Sequence, residues 1–474
     1  SREGKNYPFP LYQISFTCLI VKVDTNGNQK FVFCSFGSCN ESIEMDDFFA
    51  DQMSGSLPEL NRSAGLAQLD MFLSKAGTTY AKGRNFDLGP GRHHMVSRLS
   101  GHLRRRLVTE EEVISAVLGR HSFSSAEKFI TEIYWRTYFK GWLEMRPSIW
   151  QQWLLDCANL PCTSALAQAC SGQTGLDCFD AWTDELKNSG YLHNHARMWF
   201  ASIWIFTLGL PWQQGAEFFM KYLRDGDPAS NTLGWRWVAG LQTKGKAYAA
   251  RADNIDQFTR GRFFPDGQLN EQVYAVDGPE SPAAQPINCP RQLALKENRK
   301  PYLLLLTSED GHPESLSLAH PPVGLATLPV LFSNHFWPDR GDWMRSVELD
   351  QVEQMALTDI AERAQTHFHL QHTDRISPEE DCKAARSMDN VRMVDQAAEQ
   401  LSVLCRQYQV FDLVTAYLPV GFWSNNFERL RSHPLLEDMR WHLVMRDFDR
   451  RSWPSASRGF FPFKSKIPEW LFKA

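Results

Sequence analysis

Residues 225–237 read DGDPASNTLGWRW. Two aspartates, an asparagine and two tryptophans crowd into this stretch, beside two glycines and a proline. A packed core uses Leu, Ile and Val, so the composition asks for another reason. On a helix, Asn231 and Trp235 are four residues apart and share a face. Trp237, two residues on and about 200° round, looks elsewhere. One face then suits a bound planar molecule and the other a second partner, while spacing alone fits packed rings equally well.

Working outward, the pattern is helical from about Leu60 to Phe264. SSAEKFITEIYWRTYFKGWLEM (124–145) opens on Ser with an acidic residue two positions after Ser125, then carries apolar residues at three- and four-residue spacing. DCFDAWTDELKNSG and WQQGAEFFMKYLRDG each end on Gly, a helix stop. MWFASIWIFTLGLPW (198–212) is short for a membrane span and is closed by Gly209 and Pro211, so it reads as a buried helix. Before this region, ISFTCLIVKV and KFVFCSF flank an Asn26-Gly27 hairpin signal. Residues 265–298 are rich in Pro, Gly, Asn and Gln and read as a linker. Beyond them, PYLLLLTS, ATLPVLFS, FDLVTAYLP and MRWHLVMRD are runs of strand length that alternate with helical stretches, the pattern of a parallel-sheet α/β domain. The expected fold is multidomain, α and α/β. It has a β-rich N-terminal extension (1–59), a helical domain (60–264), the linker (265–298) and a Rossmann-like α/β domain (299–474).

The chain has 474 residues, too many for one ordinary core. A net charge of −5 argues against a protein coated in positive charge and leaves local patches open. Ten cysteines without a regular framework predict a reducing, cytoplasmic setting. Cys157, Cys162, Cys170 and Cys178 match no common zinc or iron–sulfur spacing, and HFHLQH (367–372) is a weak metal candidate. Sixteen Trp, most of them between Trp135 and Trp237, exceed what core filling asks for.

SGYLHNHARMWF (189–200) puts His193, Asn194, His195 and Arg197 in an otherwise apolar helix. A buried Arg needs an acid, and Asp225 and Asp227 are the candidates, as a structural ion pair or as part of a site. YAKGR (80–84) and VSRLSGHLRRRL (96–107) join a Tyr hydroxyl and Ser hydroxyls to a run of Arg, a set suited to phosphate oxygens. Arg104, Arg105 and Arg106 make the densest basic run and face either a nucleic-acid backbone or solvent.

In this order, the segments YAKGR, VSRLS, FITEIYWRTY, GYLHNHARM and DGDPASNTLGWRW resemble the motifs of the photolyase/cryptochrome flavoprotein family. The active-site pattern is most similar to that of the cyclobutane pyrimidine dimer photolyases. The resemblance implies an all-helical domain that binds FAD, with Tyr80, Ser97, Leu99 and Ser100 at the pyrophosphate, Arg197 paired with Asp225, Asp227 close to the flavin and Asn231 facing it. It implies electron transfer through Trp235 and Trp212, with Trp153 or Trp150 as the third, surface member. It further implies a dimer pocket lined by Glu132, Trp135, Asn194, Met198 and Trp237, damaged DNA as the partner met through Arg104, Arg105, Arg106 and His195, and a monomer that spans no membrane. The implied activity is that of a deoxyribodipyrimidine photolyase, a carbon–carbon lyase driven by blue light through excited reduced FAD. The alternative is a cryptochrome-like photoreceptor that binds FAD without repair. Val96 where the family has Thr, Tyr191 where it has Trp, and His195 where the repair enzymes often have Arg depart from the pattern. The family carries its α/β antenna domain first, so RSWPSASRGFFPFKSKIPEWLF near the chain end, similar to the segment closing that domain, implies an antenna-type domain moved to the C-terminus. The sequence leaves open whether that domain holds a second, antenna chromophore.

Overall fold

The computed structural model describes residues 18–23, 29–34, 59–287, 289–290, 299–330, 347–377 and 390–472. Strands β1 (Cys18–Val23) and β2 (Gln29–Cys34) pair antiparallel with Cys18 opposite Cys34. They fall in a unit of their own, residues 1–56. The expected turn at Asn26-Gly27 lies outside the described residues.

The rest, from Leu57 on, is one unit. Its first part is helical: α1 (Arg62–Leu73), α2 (Thr78–Gly83), α3 (Ser100–Arg104), α4 (Glu110–Leu118), α5 (Phe123–Glu144) and α6 (Ser148–Asn159). After them come α7 (Ser164–Ser171), α8 (Asp177–Ser189), α9 (Asn194–Ser202), α10 (Trp212–Tyr222), α11 (Pro228–Val238) and α12 (Ala252–Thr259). Helix α5 starts slightly earlier than its pattern suggests, because the Ser122 hydroxyl accepts the Ser125 N–H as N-cap. The apolar run 198–212 leaves α9 through a π-helical turn at Ile203–Thr207, then breaks at Gly209 (φ +67°) and Pro211 before α10 begins. Residues 265–287 form no helix or strand and lie on the helical region, with Val276 N–H donating to Ala239 C=O at 2.9 Å.

The second part is a five-stranded parallel sheet of order β5-β4-β3-β6-β7: β3 (Tyr302–Leu306), β4 (Gly324–Thr327), β5 (Asp374–Arg375), β6 (Asp412–Ala416) and β7 (Arg440–Val444). In the run ATLPVLFS, β4 ends at Thr327, two residues before Pro329, which has no N–H for a ladder; residues 331–333 lie outside the described residues. Side-chain alternation splits β3 between two cores. Leu303 and Leu305 pack toward α14 (Asn390–Gln407) and α15 (Ser424–Arg431), while Tyr302, Leu304 and Leu306 pack toward α13 (Val347–Phe368). Both faces are covered, as parallel sheets require.

The chain end departs from expectation. After β7, the segments α16 (Asp447–Ser452), α17 (Phe460–Lys464) and α18 (Ile467–Phe472) leave the sheet, and Phe448, Ala456, Phe460, Phe463 and Ile467 join the core of the helical region. Trp453 lies so close to α5 that a Cβ on Gly141 would stand 2.8 Å from its Cα.

Candidate functional site

Helices α5, α9, α10 and α11 bring the polar groups together. Asp227 is the N-cap of α11: its Oδ1 accepts the Ser230 N–H at 2.7 Å. Its other oxygen faces Arg136 Nη1 (3.6 Å), Arg104 Nε (3.7 Å) and Lys140 Nζ (3.9 Å), all beyond hydrogen-bond reach. Burial opposes the charge on Asp227, but Lys140, Arg136 and Arg104 outweigh it and bring the carboxyl down to about 2. Next to it, Arg197 Nη1 lies 3.1 Å from Asp225 Oδ2. Burial again opposes ionisation, and Arg197 then Arg136 hold the Asp225 carboxyl below its ordinary value.

The remaining expected residues divide. Leu99 is buried at the start of α3, and Ser97 Oγ accepts the Leu99 N–H at 3.4 Å. Tyr80 is packed edge-on against Phe72 and Phe129, with Arg84 over its ring at 6.0 Å and its pKa raised first by burial. Arg84 also forms a close ion pair with Glu132 on α5, which ties the YAKGR segment to the expected pocket carboxylate. Asn231 donates its amide N–H to Ala216 C=O on α10 at 2.8 Å. Asn194 is exposed, 3.9 Å from Met198 Sδ. Trp135 is half-buried, and one ring face is stacked on Phe460 at a centroid distance of 3.5 Å and 12°. Trp237 is 36% exposed and tilts against Tyr248.

Trp235 is buried at the Phe219 ring (5.1 Å) and the Trp204 ring (6.1 Å). Trp212 is buried, with Arg236 over its ring at 5.9 Å. Trp153 and Trp150 are in contact (4.8 Å), and each is only 1% exposed. Neither is therefore a surface member; α6 turns both inward, where Trp153 Nε1 donates to Gln213 C=O. Trp204, from the apolar run, went unnoticed because nothing in its local pattern separates it from core.

The expected DNA cations are corrected by their burial. Arg104, Arg105 and Arg106 are 5–7% exposed. Arg104 pairs with Glu309 (2.6 Å), Arg105 with Glu353 (3.4 Å), and Arg106 with Asp449 (2.7 Å), Glu110 and Asp310. Cations so committed are not available to phosphates, and this excludes a solvated face as well. His195 is half-buried, and burial, then Arg84, pushes its pKa down to about 4, so it is neutral at neutral pH. Glu309 and Asp310 follow β3, at the C-terminal edge where such a sheet reverses its strand order and ordinarily takes a ligand. There, Arg104 and Arg106 of the helical region pair with Glu309 and Asp310.

Among the described residues, neither the four cysteines nor HFHLQH forms a group at metal-ligand spacing. No described helix is long and apolar enough to cross a membrane.

Asp227 Oδ2, Arg136 Nη1 and Trp235 Nε1 are buried without a hydrogen-bond partner. Interiors rarely leave such atoms unpaired. A carboxylate and a guanidinium 3.6 Å apart, beside the Arg197–Asp225 pair, fit a polar aromatic cofactor such as FAD. Residues 129–268 match the family described as the FAD binding domain of DNA photolyase. The deoxyribodipyrimidine photo-lyase of Thermus thermophilus is 31% identical over 52% of this chain and 57% of its own. That of Streptomyces griseus is 29% identical over 43% of this chain and 47% of its own. A bacterial class III photolyase from Agrobacterium tumefaciens, of known structure, is 27% identical over 46% of this chain and 45% of its own, with a TM-score of 0.38. The chain thus spans about half the length of the curated relatives it matches. Through residues 129–268 the chain carries an FAD-binding region like that of DNA photolyase, and there it is similar to the photolyase/cryptochrome family.

Proposed function

We propose that this chain is a blue-light-driven flavoenzyme that splits cyclobutane pyrimidine dimers in DNA. The observation that carries the reading is the match of its FAD-binding region to relatives named deoxyribodipyrimidine photo-lyase. FAD, when bound, supplies light absorption and one-electron chemistry. Arg197, Asp225, Asp227 and Asn231 would hold its ring system, and Tyr80, Ser97, Leu99 and Ser100 its phosphates. Trp235 and Trp212 would carry electrons between the site and the outside. Glu132 would hydrogen-bond a base carbonyl, released for that purpose from Arg84, while Asn194, Met198, Trp135 and Trp237 would line a pocket for a flipped lesion, whose weakened pairing lowers the cost of extrusion. In this reading the C-terminal sheet stands for the antenna domain.

Two observations support a second reading, a photoreceptor that keeps FAD and has lost repair. The Arg104–Arg106 run is committed to buried acids, and Phe460 already occupies one face of Trp135. The test is dimer loss from an oligonucleotide under blue light, with fully reduced flavin and with binding measured separately. Catalytic dimer loss is expected. Undiminished dimers on bound DNA would replace the repair reading with the receptor.

A further inference from the structure

Away from the flavin residues, a buried knot of ligand-type side chains has no role in the function proposed above. We propose that Asp87, His93 and Glu185 form a structural site for a divalent cation of the zinc type. Each of the three is at most 4% exposed, and one potential ligand atom from each lies within 4.8 Å of the others. Asp87 and His93 come from the segment between α2 and α3, and Glu185 from α8.

The knot is built and incomplete. Asp87 Oδ2 accepts Trp182 Nε1–H (2.9 Å) and Arg262 Nη2–H (3.3 Å), and Oδ1 accepts the Gly89 N–H (3.2 Å). Such outer contacts are how proteins aim a carboxylate at an ion. His93 Nε2 meets Glu185 Oε1 at 2.6 Å. Yet Glu185 Oε2 and His93 Nδ1 are buried without a hydrogen-bond partner, and Nδ1 stands 3.8 Å from Asp87 Oδ1. Two unpaired ligand-type atoms in one enclosed cluster call for a missing partner. An imidazolium at His93 would ease the charge but leave Glu185 Oε2 empty. A cation at His93 Nε2 gives Glu185 its missing partner and leaves Nδ1–H on the side of Asp87 Oδ1; two carboxylates and one imidazole are donors zinc accepts, at about 2.0–2.2 Å each. Ligands around a tetrahedral ion stand roughly 3.3 Å apart, so loading parts the short His93–Glu185 contact, and the proton it holds leaves to solvent. His193, stacked on His93 at 5.6 Å, is not a ligand: its Nδ1 accepts the His195 N–H, which leaves the ring proton on Nε2.

The ion would fasten the segment bearing Ser97 and Leu99 to α8. The proposal does not depend on which reaction the flavin performs. The test uses the full FAD-loaded chain, free of any polyhistidine tag, equilibrated with zinc, gel-filtered and assayed by mass spectrometry for metal. About one zinc per chain is expected, with loss in His93→Gln, whose amide keeps a hydrogen bond to Glu185 but removes the imidazole. Glu185→Gln serves if that variant fails to fold. Cobalt should give the visible bands of a tetrahedral site in the wild type and not in the variant. A wild-type chain that holds no zinc, or zinc undiminished in both variants, overturns the proposal. Those results leave the flavin reading untouched, since flavin absorbance is read on the same samples.

Discussion

Asp227 spends one oxygen on its own helix and turns the other toward Arg104, Arg136 and Lys140, none close enough to hydrogen-bond it. Three cations about one carboxylate keep it ionised despite burial, and burial in turn lowers the Lys140 pKa. Asp225, Asp227 and Asn231 were legible in DGDPASNTLGWRW because they lie in one stretch. Arg136 and Lys140 were not, because they come from α5, where an i,i+4 pair of basic residues looks like any helix face. Trp235 tests the redox role at this scale. It is buried against Phe219 and Trp204, so Trp235→Phe keeps the ring packing and removes the more easily oxidised indole. FAD content is expected to stay near wild type while photoreduction under blue light falls at least about tenfold. Unchanged photoreduction would remove Trp235 from the electron path.

Helix α5 works on two fronts. One set of side chains, Glu132, Arg136 and Lys140, serves the candidate site, and another, Tyr134 and Tyr138, takes Phe448, Phe463 and Trp470 from the chain end. Gly141 permits the contact with Trp453, whose Cα a Cβ would approach to 2.8 Å. In an open helix Gly→Ala stabilises by about 1 kcal/mol; here the neighbour is backbone, so the sign reverses. Gly141→Ala is expected to cost about 1–3 kcal/mol, read by chemical denaturation, and to speed proteolysis after residue 453. A variant as stable as wild type would mean that the tail gives way without loss. The period of α5 was readable in the sequence, whereas its partner was not, since the tail is far off in the chain and its aromatics fit a sheet equally well.

At the scale of the molecule, the helical region and the sheet are joined by buried charge. Arg106 pairs with Asp310 at 3.3 Å, Arg104 with Glu309, and Glu144 of α5 accepts the Tyr417 hydroxyl (2.9 Å) and the Val420 N–H. Burial pushes Glu144 up to about 7. The folded state therefore keeps a proton that the unfolded chain has released above about pH 4.5, and this part of the stability falls as pH rises from there to 7. Glu144→Gln, which resembles the protonated form, should gain on wild type by about 2–3 kcal/mol between pH 5 and pH 8, measured by urea unfolding at both. A gap that shrinks with rising pH would exclude the proton. The sequence alone determined the local matters: helix and strand periods, a parallel sheet after a helical region, and the family motifs, all set by neighbours a few residues apart. Tertiary structure alone decided where charge and aromatics go. The run Arg104–Arg106 carries the same letters on a DNA-facing surface as in a buried latch. Only acids brought from β3, α13 and α16 distinguish the two, because the cost of burying a cation is set by what stands beside it in space.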